Sequence, residues 1–382
     1  MSKSFCLWGL ATVAILALTS FGGWLLSLPA PAPAVVAPVV PPREAAAVLA
    51  ALQPRRERPL IAVIGINDAT ETTDYLVPTG ILRRADVAEV TLLAAGPGPV
   101  QLFPALKVEP DATIARFDAD HPEGADYVIV PAMRRDDDPA VLAWLLSQAR
   151  KGARIIGICA GAKVVAASGL LDGKRATTHW YYRGEMLKRH PTIRYVADRR
   201  MVQDQGVVTT TGISASMPMM LTLIEAIAGR AKAEEVARDL GLRTWNARHA
   251  SGAFKFTRPF ATTVLANSVA FWDHEDLGIR LDPGMDEVSL ALVADAWSRT
   301  YRSHTRTFVA TAGAIRTVSG VRILPDRVVR AWPGGRRVTT FPEMKPAAAL
   351  DETLGAIAAR YGATTTKMVA MQLEYPMQAK RR

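Results

Sequence analysis

The sequence predicts an α/β fold: an open, mostly parallel sheet with helices on both faces. Two observations carry this. Short apolar runs at Leu60 to Ile66, Glu89 to Ala95, Tyr127 to Val130 and Ile155 to Ile158 alternate with helical segments, and runs of this kind are strands buried on both faces, which is the setting of parallel sheets. The last run leads straight into Gly157-Ile-Cys159-Ala-Gly161 and then Ala162-Lys-Val-Val-Ala-Ala, a strand, a cramped turn and a helix.

Taken in order, Leu60 to Ile66 reads as the first strand, and Tyr75 to Arg84 as a helix with Pro78 near its first turn. Glu89 to Ala95 is the second strand, and Val108-Glu-Pro-Asp a short strand and turn. Pro139 to Lys151 is an amphipathic helix closed by Gly152, and the helix after Cys159 ends at Gly169. Tyr195 to Ala197, Met201 to Gln203 and Val207 to Thr211 read as further short strands. Met217 to Ala228 is a helix that ends at Gly229, with Ser214 or Ser216 as its N-cap. These elements define a domain over 59–230.

The N-terminal end differs in character. Phe5 to Leu28 carries no charge and is long enough to cross a bilayer as a helix, for which about 20 residues suffice. Trp8 and Trp24 stand near its ends, as interfacial anchors do. The expectation is a single-pass membrane anchor over 5–28, with the globular part outside the cytoplasm. A cleaved signal peptide is the rival reading, and Ala30-Pro-Ala fits its cleavage site poorly. Residues 29–58 read as a Pro/Ala-rich linker with a short helix from Glu44 to Leu52.

The chain has 382 residues, room for about two domains, and a formal net charge of +10. Basic excess suits an anionic membrane surface or nucleic acid, but no dense basic run with interleaved aromatics is present, so no nucleic-acid partner is expected. The two cysteines, Cys6 and Cys159, lie in the apolar segment and the turn, so no disulfide framework is available. His249, His274 and His304 are scattered, without the spacing of a metal site, and no metal or cofactor is implied.

Cys159 is the candidate reactive residue. A nucleophile on a strand-to-helix turn needs small neighbours, and Gly157 and Gly161 supply them. The helix N-terminus there favours thiolate. A buried, inert cysteine is the plain alternative. In an open α/β sheet, sites lie at the carboxyl ends of the strands, where Cys159 falls.

Four segments, in order, resemble the ThiJ/PfpI superfamily with its class I glutamine-amidotransferase-like, flavodoxin-like fold, over roughly Leu60 to Gly229. They are Asp74-Tyr-Leu-Val-Pro-Thr-Gly-Ile-Leu-Arg-Arg, Gly157-Ile-Cys-Ala-Gly-Ala, Gly169-Leu-Leu-Asp-Gly-Lys-Arg-Ala-Thr-Thr-His-Trp, and Val207-Val-Thr-Thr-Thr-Gly-Ile-Ser-Ala-Ser. They are most similar to the branch that supplies the N-terminal domain of GlxA-like AraC-family regulators. The resemblance makes Cys159 the nucleophile, puts Asp74 where many members have a glutamate bonded to the sulfur, and puts His179 on a histidine beside the cysteine. The backbone amides of Cys159 and Ala160 would bind an oxyanion, and Ala132, Met133, Gly161, Thr211 and Gly212 would line the substrate pocket. The chain departs from the family in three places. Asp74 is shorter than Glu, Pro131-Ala132-Met133 replaces Pro-Gly-Gly, and Ala160 replaces the histidine of protease-like members, which argues against peptidase activity. Asp74 as a first-turn helix residue and His179 as a packed histidine are the plain readings of those positions. A homodimer is an expectation from the resemblance alone.

Residues 231–382 form a C-terminal α/β extension. Glu234 to Leu242 starts like a helix-turn-helix, but no recognition helix follows, so the DNA-binding half is missing. Thr307-Phe-Val-Ala-Thr-Ala-Gly followed by Val321-Arg-Ile-Leu-Pro-Asp echoes Thr91-Leu-Leu-Ala-Ala-Gly followed by Leu106-Lys-Val-Glu-Pro-Asp, which suggests a degenerate partial repeat without a second cysteine. Ala347 to Tyr361 and Thr365 to Leu373 read as two closing helices. Two functions follow: cysteine-dependent chemistry on a small electrophile, of the hydratase, glyoxalase or deglycase kind, or a non-catalytic redox-sensing or ligand-binding module.

Overall fold

The computed structural model describes residue 16, residues 19–31 and residues 36–376. Most of the expected membrane span at 5–28 lies outside the described residues. Residues 19–27 are helical, and among the described residues no helix is long and apolar enough to cross a membrane. The linker is more than a spacer. Its helix α1 (Pro42–Ala51) packs through Val48, and the Leu52 carbonyl just after it accepts the Tyr127 hydroxyl at 2.6 Å.

The first half runs β1 (Leu60–Gly65), β2 (Thr70–Glu71), α2 (Thr72–Ala85), β3 (Glu89–Ala94), β4 (Val100–Phe103), β5 (Lys107–Glu109), β6 (Ala112–Thr113), α3 (Ile114–Asp120), β7 (Tyr127–Val130), α4 (Pro139–Arg150), β8 (Arg154–Gly157) and α5 (Gly161–Ala167). Then come β9 (Arg175–Ala176), α6 (Arg183–Arg189), β10 (Arg194–Tyr195), β11 (Met201–Asp204), β12 (Val207–Thr210), α7 (Ser216–Ala228) and α8 (Arg230–Leu240). The main sheet has the order β11-β12-β8-β7-β1-β3-β6, parallel except at β11. Strand periodicity sends Ile61 and Val63 into the apolar core on one face, and Leu60, Ala62 and Ile64 into the core on the other. The α7 N-cap is Ala215 and makes no side-chain cap, because a short 3₁₀ turn at Ile213–Ala215 feeds the helix. Neither Ser214 nor Ser216 takes that role.

The second half adds α9 (Arg258–Val269), β13 (Glu275–Arg280), α10 (Glu287–Ser298), β14 (Ser303–Val309), β15 (Ile315–Arg316), β16 (Arg322–Ile323), β17 (Arg327–Val328) and α11 (Pro346–Gln372). The last is two helices broken at Gly362, whose φ of 85° and ψ of 164° are not helical. Its β-α-β start has the order and parallel pairing of the first half: β13 with β14 and β14 with β17, as β1 with β3 and β3 with β6. Asp326 Oδ2 accepts the Thr307 amide at 2.8 Å, as Asp111 Oδ2 accepts the Leu92 amide at 2.7 Å. Those carboxylates set the alignment, so Thr307 answers to Leu92 and the sequence echo is one residue out of step at Thr91. The hairpins β4–β5 and β15–β16 join edge to edge, with Ile323 opposite Val108. The helices α2 and α10 pack on each other.

Candidate functional site

Cys159 is held in a left-handed conformation, φ 56°, between β8 and α5. An L-residue pays for that conformation, and it persists only where its surroundings fix it. Gly161 is one such constraint: a Cβ there would lie 1.9 Å from the Val130 carbonyl oxygen. At Gly157 a Cβ would come within 3.1 Å of the Ala162 backbone. The Cys159 amide donates to Thr210 Oγ1 at 3.1 Å, and the Cys159 carbonyl accepts from Thr178 Oγ1 at 3.1 Å. The side chain is nearly sealed, at 5% exposure.

Asp74, in the first turn of α2, is fully buried against the Pro131–Ala132 segment. Its Oδ2 accepts the Ala132 amide at 3.1 Å, and the buried Oδ1 makes no hydrogen bond among the described residues. Burial raises the Asp74 pKa to about 7, with Asp295 adding to it, offset in part by the Ala132 amide, by Arg299 and by the neighbouring Cys159 thiol. Glu71, the N-cap of α2, accepts from the Asp74 amide at 2.6 Å and from Thr73 Oγ1 at 2.8 Å. Its other oxygen accepts from Arg299 Nη2 at 2.6 Å, and Arg299 Nε donates to Asp295 at 2.7 Å.

These groups correct the expectation of a resting thiolate. Burial pushes the Cys159 thiol well up from its ordinary range, and Asp74, Glu71 and Glu374 push it further. The neighbouring Ala160 amide opposes them. Of the two amides expected to bind an oxyanion, that of Cys159 is engaged at rest by Thr210.

His179 lies near the centre with both ring nitrogens occupied. Nε2 bonds the Gln372 carbonyl at 2.9 Å and Nδ1 accepts from the Tyr181 amide at 3.2 Å. Those partners make it the neutral Nε2–H tautomer, and burial lowers its pKa to about 4. No ring nitrogen is left to take a proton from Cys159. The C-terminal end closes over this side. Glu374 accepts the Trp180 amide at 2.6 Å and the Gly212 amide at 2.8 Å, and Ser214 donates to the Glu374 carbonyl at 2.6 Å. Gly212 is required by this contact: a Cβ would meet His179 Cδ2 at 2.7 Å and Glu374 Cγ at 2.9 Å.

Of the residues expected to line a pocket, Met133, Gly161, Thr211 and Gly212 are buried and Ala132 is half-buried. The Ala132 carbonyl accepts the Glu71 amide at 2.8 Å, Met133 bridges to Thr70 and is buried in the core on one sheet face, and Thr211 is 1% exposed. Sequence reading missed Glu71, Arg299 and Glu374. A signal for Glu71 was available, a carboxylate three residues ahead of Asp74 at a helix start. Arg299 and Glu374 come from the C-terminal third and carry no local signal.

Known proteins share part of this chain. A Parkinson disease protein 7 homolog of Danio rerio is 29% identical over 188 residues, which is 48% of this chain and 97% of that one. The HTH-type transcriptional regulator CdhR of Pseudomonas aeruginosa is 30% identical over 189 residues, 48% of this chain and 53% of the regulator. An isonitrile hydratase of Pseudomonas putida is 36% identical over 94 residues, 24% of this chain and 40% of the hydratase. Residues 61–226, from β1 almost to the end of α7 and including the cysteine turn, match the DJ-1/PfpI family. The chain therefore carries, over residues 61–226, a DJ-1/PfpI family domain.

Proposed function

We propose that Cys159 is the nucleophile of a small-molecule site, with Asp74 as its proton acceptor, acting on a compact uncharged electrophile such as an isonitrile or an α-oxoaldehyde. The observation that supports this most is the strained Cys159 turn beside a carboxyl whose pKa is about 7. A carboxyl near neutrality is matched to accepting a proton at working pH. In the first step the thiol proton passes to the Asp74 carboxylate as sulfur bonds to the electrophilic carbon. The Cys159 amide, now held by Thr210, would have to turn to a developing negative charge. His179 acts as scaffold. Turnover assays with isonitriles and α-oxoaldehydes test this, using Cys159→Ser and Asp74→Asn: both variants should lose activity. Activity that survives Cys159→Ser excludes the cysteine mechanism.

The second reading is a redox-sensing or ligand-binding module. The seal over the thiol favours it, and so does similarity to a transcriptional regulator. Intact-mass analysis after mild peroxide separates the two readings. Oxidation confined to Cys159, with no turnover of any electrophile, supports the sensor.

We further propose that residues 5–28 tether the chain to a membrane, on the strength of their uncharged run. Retention of the full chain in membranes after alkaline carbonate extraction would support this, and release would refute it.

A further inference from the structure

The C-terminal half reaches the cysteine centre through one buried cation. Glu71 caps α2 by accepting the amide three residues on, at 2.6 Å, and Asp286 caps α10 in the same way, at 2.7 Å. Arg84 lies in the last turn of α2 and pairs with Asp286, while Arg299 follows α10 and pairs with Glu71 at 2.6 Å. The separation along the chain from Glu71 to Asp286 equals that from Arg84 to Arg299. The two ion pairs are thus exchanged by an approximate two-fold relation between α2 and α10, the self-complementary pattern of an isologous interface, here within one chain.

The two ends are not equivalent in chemistry. Ser289 stands where the first half has Asp74, and no cysteine lies in the second half. The Arg84–Asp286 end therefore has no counterpart of the Cys159–Asp74 pair beside it. The Arg299 end lies deeper: side-chain exposure is 14% for Arg299, 6% for Glu71 and 0% for Asp295. Gln372, which also presents its carbonyl to His179, donates to the Arg299 carbonyl at 2.9 Å.

We infer that Arg299 is a positioning residue for Cys159, holding Glu71 and through it the first turn of α2, so that Asp74 faces the thiol, while supplying the positive charge that this cluster of carboxyls needs. This inference rests on the reading of Cys159 and Asp74 as a working pair. A buried cation beside carboxylates favours their charged forms, and an opposite charge at such range moves a pKa by about 1–3. Arg299 acts on Asp74 in that sense. Without it, Asp74 holds its proton to higher pH and cannot accept one from the thiol near neutrality.

The test is the pH dependence of Cys159 modification by a small neutral thiol reagent, in the full chain and in Arg299→Gln, Arg299→Lys and Arg84→Gln. The wild-type rate should rise near pH 7. Arg299→Gln should move that rise up by about one pH unit or more, slowing modification at pH 7 about five-fold or more. Arg299→Lys keeps the charge but not the fork that bridges Glu71 and Asp295, and should fall between. Arg84→Gln breaks the mirror-related pair and should leave the rise in place. If only the lysine variant folds, an unmoved rise there overturns the inference. Equal movement in Arg84→Gln and Arg299→Gln, or none in either, also overturns it. A wild-type profile with no rise near pH 7 removes the underlying cysteine reading instead.

Discussion

The Cys159 amide donates to the Thr210 hydroxyl at 3.1 Å, tying the strained turn to the end of the neighbouring strand. The Thr210 hydroxyl itself donates to the Thr211 carbonyl at 3.0 Å. Thr210→Val keeps the shape and leaves a buried donor without a partner, which costs about 1–3 kcal/mol. Urea unfolding should show a loss of that size. An unchanged midpoint would mean that the turn is held by its glycines alone.

Gly161→Ala should be far worse. Its Cβ would sit 1.9 Å from a backbone oxygen that cannot rotate away. The expected outcome is a drop of more than about 3 kcal/mol, or no soluble protein, at the severe end for single substitutions. A stable alanine variant would show that α5 can shift away from the Val130 carbonyl.

Glu374→Ala should loosen the C-terminal closure. It strips the Trp180 and Gly212 amides of their acceptor and removes a negative charge that raises the thiol pKa. Both effects act in one direction, so Cys159 modification at pH 8 should quicken several-fold. Stability should fall by about 1–3 kcal/mol. If the rate does not change, residues 372–375 do not limit access.

Asp74 and His179 should pull stability in opposite directions with pH. The folded Asp74 pKa is raised, so its contribution is complete below about pH 4 and is lost as pH climbs toward 7. The folded His179 pKa is depressed to about 4, so its contribution is complete above about pH 6.5 and is lost as pH falls toward 4. Each unit of pKa difference is worth about 1.4 kcal/mol. Relative to wild type, Asp74→Asn should therefore gain stability from pH 4 to 7, and His179→Gln should gain it from pH 6.5 to 4. Thermal melts across pH 4–8 check both signs, and parallel curves for all three proteins would refute the assignments.

The central sheet was legible in the sequence because its strands are buried on both faces and read as unbroken apolar runs. The cysteine turn was legible because Gly157 and Gly161 flank it. The protonation state of Cys159 was not, since it depends on Glu71 and Glu374, which approach only in three dimensions. His179 illustrates the same limit: its place near the centre is apparent from the resemblance, but its engagement by Gln372 and Tyr181 is not. The echo near Val321 to Asp326 was visible as Ile-Leu-Pro-Asp against Val-Glu-Pro-Asp. Its extent was hidden because the shared features are helix caps and strand pairings rather than identical residues.

The most direct test of the Cys159–Asp74 pair is the rate of Cys159 modification against pH in wild type and Asp74→Asn. Two rises are expected in wild type, one near pH 7 as Asp74 becomes able to accept the proton and one well above the ordinary thiol range as the thiol itself ionises. Asp74→Asn should lose the first and move the second to lower pH, because a charge that opposes the thiolate is gone. A single high-pH rise in both proteins, at the same position, would contradict the pairing of Cys159 with Asp74.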